Sequence, residues 1–233
     1  MNGFFSFSLN KCEYFIIMYY SQIGQDKWVH SVLGNIQNGY FIELGACDGL
    51  YLSNTLFFER NLNWNGICIE PNDNYIDELN KNRKCNINND LIFSHTGEKV
   101  QFALSEAASG IMDENIGPFT KKDINVVKIT NTLENVLDKY NAPKIIDYLS
   151  LDVEGQEYNI LSTFPFDKYK CKCITVEHNA PHVGEKQQML IREILERNGY
   201  TFVKGNDDVN HWGHGPIDDF YVLKDAIPNY VEC

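Results

Sequence analysis

Apolar residues in this chain recur with two periods, and the periods alternate. Over 25–36 they fall at Trp28, Val29, Val32, Leu33 and Ile36, which is helical spacing. A short apolar run follows at Phe41, Ile42 and Leu44, the pattern of a strand covered on both faces. Leu56, Phe57 and Phe58 mark a helix over 53–61, and Ile67, Cys68 and Ile69 a second strand. A helix is read over 73–82 and a third strand over 84–89. Leu91, Ile92 and Phe93 and then Val100, Phe102 and Ala103 flank Thr96 and Gly97, which predicts a hairpin. Residues 105–125 mix Ser, Gly, Asp, Glu and Lys without a period and read as a mobile loop. Asn131 and Glu134 have capping-box spacing, opening a helix that runs to about 140. A fourth strand ends at Asp152, a helix covers 154–163, and a fifth strand covers 173–177. The helix over 184–198 stops at Gly199. The last two strands are read over 201–203 and 219–223, and the polar segment between them carries His211, Trp212 and His214. No internal repeat is visible. Alternating strands and helices predict an α/β protein with a mostly parallel sheet.

Three strand ends carry acids. The first strand runs through Glu43 into a turn of Gly45, Ala46, Cys47, Asp48 and Gly49. The two glycines let the backbone bend and let a ligand come close. Glu43 and Asp48 would repel a phosphate, and the G-x-G-x-x-G fingerprint is absent. An acidic, glycine-bearing turn suits a ligand that carries a cation, hydroxyls and an amine. S-adenosylmethionine (SAM) has all three. The second strand ends in Glu70 and Pro71, where a carboxylate reaches the ribose of an adenosine in a doubly wound sheet. The fourth ends in Asp152, Val153, Glu154 and Gly155.

These blocks together resemble the FkbM-type SAM-dependent methyltransferases. The resemblance is carried by Ser21-Gln22-Ile23-Gly24-Gln25-Asp26, by Phe41 to Gly49, and by Ser53-Asn54-Thr55. It continues through Trp64-Asn65-Gly66, Ile69-Glu70-Pro71, Asn82-Arg83, Asp147 to Gly155 with Glu157, Thr175 to Asn179, and Gly199-Tyr200. It covers roughly residues 21–223. It implies the Rossmann-like class I methyltransferase fold, an α/β arrangement of a mostly parallel seven-stranded sheet, helices on both faces and an antiparallel last strand. The expected organisation is an N-terminal extension over 1–19 and one methyltransferase domain over 20–233.

The cofactor roles follow from what SAM presents. Gly45, Ala46 and Gly49 would lie against its methionyl part, with Glu43 or Asp48 on the ammonium. Ser53 and Asn54 would open the next helix near the carboxylate. Glu70 with Pro71 would take the ribose, and Asp90 with Leu91 the adenine. Asp152, Glu154, Glu177 and His178 end adjacent strands and should converge where the methyl is passed on. His178 has a suitable ordinary pKa for a base, and Lys27 could approach the same mouth. The expected catalytic set is therefore Lys27, Asp152, Glu177 and His178. Asp152, Glu177 and His178 are also ordinary ligand types for a divalent ion. The spacing is not diagnostic of one, and the reading from sequence is metal-free.

Composition narrows the rest. The chain has 233 residues, a formal net charge of −12 and seven cysteines without framework spacing. An acidic surface disfavours nucleic acid in general. Unpatterned cysteines read as reduced thiols in a cytoplasmic protein. Phe15 to Tyr20 is apolar but too short to span a bilayer, so no membrane partner is expected, and Met18 could serve as an internal start. The leading expectation is O-methylation of a hydroxyl on a sugar or ribose. The first alternative is the ribose 2′-hydroxyl of capped RNA, since Lys27 and Asp152 match two members of a lysine-aspartate-lysine-glutamate set. Glu177-His178-Asn179 stands where that set has its second lysine. The other alternative is a catalytically silent interaction protein of the same fold.

Overall fold

A computed structural model describes residues 18–105, 107–112, 124–205 and 217–226. Its main sheet has seven strands: β1 (Tyr40–Leu44), β2 (Asn65–Ile69), β3 (Asn86–Asn88), β8 (Ile145–Leu151), β9 (Lys170–Glu177), β10 (Tyr200–Gly205) and β11 (Asp218–Leu223). Their spatial order is β10-β11-β9-β8-β1-β2-β3. β11 runs antiparallel to both its neighbours, and the other pairs are parallel. This is the strand order of the class I methyltransferase fold. The order reverses between β1 and β8, and ligands of open α/β sheets bind at the carboxyl ends beside such a switch point.

Strand alternation gives each sheet face its own core. Ile42, Leu44, Ile67, Ile69, Leu149, Leu151, Ile174 and Val176 meet α4 (Leu133–Lys139), α5 (Glu157–Ser162) and α7 (Lys186–Arg197), which follows the short α6 (Ala180–Val183). Phe41, Cys68, Tyr148, Cys173 and Phe220 meet α1 (Gln25–Leu33), α2 (Leu56–Leu62) and α3 (Asp73–Asn82). Trp28 packs edge-on to Phe220 at 5.0 Å, and Trp64 donates from Nε1 to the Ile36 carbonyl at 2.7 Å. Tyr19 packs on Phe57 at 4.8 Å, and the Tyr20 amide donates to Asp26 at 2.7 Å.

The segment between β3 and α4 departs from the sequence expectation. No hairpin joins Leu91 to Val100. Instead β4 (Leu91–Ile92) and β5 (Lys99–Leu104) lie on opposite sides of β7 (Ile124–Asn131), a strand the sequence reading missed. β5 pairs with β7 from Lys99↔Ile129 to Leu104↔Ile124. That ladder is far longer than anything the two-residue β4 could offer. Part of the expected loop is also ordered. β6 (Gly110–Ile111) pairs with β5 at Phe102↔Ile111, and Ser109 Oγ accepts from Asn72 Nδ2 at 3.0 Å. Residues 113–123, and the segment with His211, Trp212 and His214, lie outside the described residues. The α4 cap is Thr132, whose side chain accepts from the Asn135 amide, rather than Asn131.

Candidate active site

The β1 turn is built around one buried carboxylate. Glu43 accepts from Ser53 Oγ at 3.0 Å, the Asn54 amide at 2.6 Å, Thr55 Oγ1 at 2.6 Å and Arg83 Nη1 at 3.0 Å. Arg83 also bonds Thr55 Oγ1 at 2.8 Å and Glu59 at 3.2 Å, so its charge is fully paired. Glu43 is thus filled by protein donors. It shapes the turn, and it also lines the wider of the two cavities at the strand ends. Asp48 accepts from the Leu50 and Tyr51 amides on one oxygen, Oδ1, at 2.9 and 2.8 Å. Gly45 has φ +80°, and a Cβ there would run into the Asp152 carbonyl oxygen. That close approach brings the β1 turn and the end of β8 together.

Two cavities that share Gly45, Asp152 and Glu154 in their linings open along the strand ends. The narrow one is lined by Gly45, Glu70, Pro71, Asp90, Leu91, Ser109, Ile111, Asp152, Glu154 and their apolar neighbours. Glu70 is 4% exposed there. One of its oxygens accepts from the Cys47 amide at 2.9 Å and the other from the Asn72 amide at 2.7 Å. Each oxygen keeps acceptor capacity for one more donor. Asp90 receives Asn88 and Asn131 side-chain amides on Oδ2, both at 3.0 Å. A paired carboxylate, a second acid and an apolar floor fit a ribose and an adenine, so these residues suit SAM.

The wide cavity, of about 570 Å³, is lined by Gly45, Ser53, Asn54, Asp152, Glu154, Glu177 and Asn179, with Gln22, Gln25 and His182. Strand register explains the convergence. Ser150 pairs with Thr175, so Asp152 and Glu177 follow two positions later on the same face. Burial pushes the Asp152 carboxyl up, and burial with the Asp152 charge pushes Glu177 up further. Asn54 donates to Ser150 Oγ at 2.8 Å, while its Oδ1 is buried without a partner.

Several expected residues stand elsewhere. Ala46, Asp48 and Gly49 line neither cavity. Lys27 is exposed on α1, and the residue aimed inward is Gln25, which donates to Asp218 at 3.0 Å. His178 alternates to the other face of β9. Its Nδ1 accepts from the Ala180 amide at 3.0 Å, and its Nε2 lies 3.0 Å from Gln188 and 3.5 Å from Asp219. It ties β9 to α7 and is walled off from the cavity. Gln25, Asn179 and His182, which line the wide cavity, were missed as site residues. Only Gln25 carried a signal, being three and four residues from the buried Trp28 and Val29.

Glu70 and Glu157 make a stability prediction. Burial pushes each up to about 7 from 4.5, with the Asp152 charge adding to both and Lys128 opposing at Glu70. Between those values the folded protein holds protons that the unfolded chain has lost. Stability therefore falls as pH rises from about 4.5 to 7, by on the order of 3 kcal/mol per group. The thermal midpoint of cofactor-free protein should be higher at the acidic end of that window. Glu157 accepts from the Val153 and Gly155 amides and from Gln187. Glu157→Gln keeps those contacts if Gln187 flips its amide, and should flatten the slope. An unchanged slope would exclude Glu157 as a source.

The fold and the acidic strand ends define a protein of the SAM-dependent methyltransferase class. The chain belongs to the FkbM methyltransferase family: the sequence profile of the Methyltransferase FkbM domain matches residues 43–202. Among solved structures it is similar to methyltransferase FkbM from Methylobacillus flagellatus KT, at 14% identity over 81% of this chain and 44% of that one, TM-score 0.48. It is also similar to an O-methyltransferase from Bacillus cereus in complex with SAH, at 13% identity over 85% and 80%, TM-score 0.48. A third is precorrin-6y C5,15-methyltransferase from Geobacter metallireducens GS-15, at 14% identity over 85% and 88%, TM-score 0.46. No curated protein sequence matches the chain. Among the described residues no helix is long and apolar enough to cross a membrane.

Proposed function

We propose that the protein transfers a methyl group from SAM to a hydroxyl of a sugar or ribose. The observation that carries this reading is the pairing of the two cavities. The narrow one offers Glu70 and Asp90 to an adenosine, and the wide one offers acceptor side chains (Asp152, Glu154, Glu177 and Asn179) a few residues away. SAM supplies an electrophilic methyl when bound. The protein's task is then to align the acceptor and take its proton. Carboxylates and amides are the groups that hold hydroxyls by accepting and donating hydrogen bonds. Asp152, at the end of the strand beside the switch point, would receive the proton. Gly45, Ser53 and Asn54 would hold the methionyl end.

The capped-RNA alternative draws little support. Lys27 is exposed away from the cavity, and no Lys or Arg is among its described lining residues. A methyl-transfer screen with labelled SAM across sugars, nucleosides, capped RNA and peptides tests the reading. Label is expected on a sugar or nucleoside, with turnover nearly indifferent to salt and within about twofold of wild type for Lys27→Ala. A steep fall with salt on capped RNA, or label on peptide alone, would overturn it. Failure to bind SAM or S-adenosylhomocysteine (SAH) would favour the silent interaction protein.

A further inference from the structure

We propose that Tyr51, at the rim of the wide cavity, is the platform on which the apolar face of the acceptor's sugar ring stacks, and so a specificity-determining residue for the transfer. This rests on the methyl-transfer reading. Tyr51 and Leu52 both line the cavity, and they are 58% and 37% exposed where Glu177 is 9%. Among the described residues with large exposed apolar side chains, Tyr51 alone is aromatic. It is also the one Phe, Tyr or Trp among the described residues of this lining.

The loop that carries the pair is held from several sides. Asp48 Oδ1 accepts from the Leu50 and Tyr51 amides, and the Asp48 carbonyl accepts from Asn82 Nδ2 at 2.8 Å. The Gly49 amide donates to the Ala46 carbonyl at 2.8 Å. Gly49 has φ +80° and packs so closely that a Cβ there would lie 2.6 Å from Arg83 Cγ. Leu52 has φ 53°, in the left-handed region that a residue other than glycine enters at a cost, and such positions cluster at ligand sites. None of these contacts uses the Tyr51 ring. A flat side chain with two rotatable angles on a fixed loop is pre-organised, so little freedom is lost when a ligand lies on it.

The cavity is two-sided in the way a sugar is. Tyr51 and Leu52 give it an apolar rim, and Asp152, Glu177 and Asn179 give it acids and an amide deeper in. A sugar ring carries polarised C–H groups on a face and hydroxyls around its edge. The C–H groups meet the negative face of an aromatic ring, and the hydroxyls meet carboxylates and amides. Stacking fixes the plane of the ring, and the polar groups then select which hydroxyl is presented to the methyl donor.

The test is steady-state kinetics of Tyr51→Ala and Tyr51→Phe with the acceptor that the labelled-SAM screen identifies, alongside calorimetry with SAH and the thermal midpoint. Tyr51→Ala should raise KM for the acceptor at least about fivefold, the lower end of stacking on an aromatic side chain. Its kcat should stay within about twofold, because stacking acts on substrate and transition state alike. Tyr51→Phe should keep KM within about twofold of wild type. SAH affinity and the midpoint should be unchanged in both variants, whereas a merely structural role would move them. An unchanged acceptor KM in Tyr51→Ala would overturn the platform and leave the methyl-transfer reading standing. So would an equal loss of SAH affinity in that variant. If label falls only on a nucleoside, the comparison is repeated with its base-free methyl riboside, and a KM effect that needs the base would overturn the assignment to the sugar. Label on no sugar or nucleoside would overturn the methyl-transfer reading and the platform together.

Discussion

Asp152→Asn is expected to cut single-turnover methyl transfer by about 10²–10⁴-fold, the usual contribution of a placed proton acceptor. The substitution keeps the shape of the side chain and removes its charge. The fold should survive it, because the close contact of Gly45 is with the Asp152 backbone carbonyl and not its side chain. Stability should even rise. Burial and the neighbouring Asp152 charge hold the Glu177 carboxyl well above its usual range, and removing that charge relieves the pair. Lost turnover with an equal or higher thermal midpoint is the expected signature. Near wild-type transfer, measured with whichever acceptor the screen identifies, would make Asp152 a structural residue.

Glu70→Ala is expected to weaken SAH binding by about 1.5–3 kcal/mol, the worth of hydrogen bonds to a charged group. That is roughly a 10- to 150-fold rise in Kd, read by calorimetry on folded protein. The two amides that Glu70 accepts, from Cys47 and Asn72, also hold the turns of β1 and β2, so Glu70→Gln is the gentler companion. The pH dependence has a definite sign. Burial puts the Glu70 carboxyl at about 7 without cofactor, and hydroxyl donors favour its ionised form. Affinity should therefore fall as pH drops below about 7 in wild type, and the Gln variant should lose this dependence. Unchanged affinity in the Ala variant would remove Glu70 from the cofactor site.

Much of the sheet was legible because its strands follow a local rule. Phe41, Ile42 and Leu44, or Ile67, Cys68 and Ile69, are apolar on consecutive positions only because both faces are covered. β7 was not legible. Val127 and Ile129 are both 60% exposed on it, so its apolar pattern reports no buried face. The hairpin at Gly97 failed for a related reason. A turn residue marks where the chain bends, but which strand β5 pairs with depends on a segment twenty to thirty residues further on.

The site divides along the same line. Helical spacing in α1 already placed Lys27 off the face of Trp28 and Val29, and alternation in β9 already placed His178 opposite Glu177. Both follow from the sequence period alone once it is applied to the polar residues as well as the apolar ones. Conversely, Glu43 and Asp48 sit in the cofactor turn as the motif places them, yet the Glu43 oxygens are taken by Arg83 and Thr55 and one Asp48 oxygen by local amides.

By itself the sequence determined the alternation of strands and helices, the family, and the acids at the strand ends, since periodicity and motif spacing are properties of neighbours along the chain. Tertiary structure alone decided which acids share a space. Asp152, Glu154 and Glu177 converge with Asn54 because the parallel register of β8 and β9 and the packing of Gly45 against Asp152 bring four chain segments to one point. Burial there, a sum over all of those segments, sets the ionisation of each carboxyl, and no stretch of sequence contains that sum.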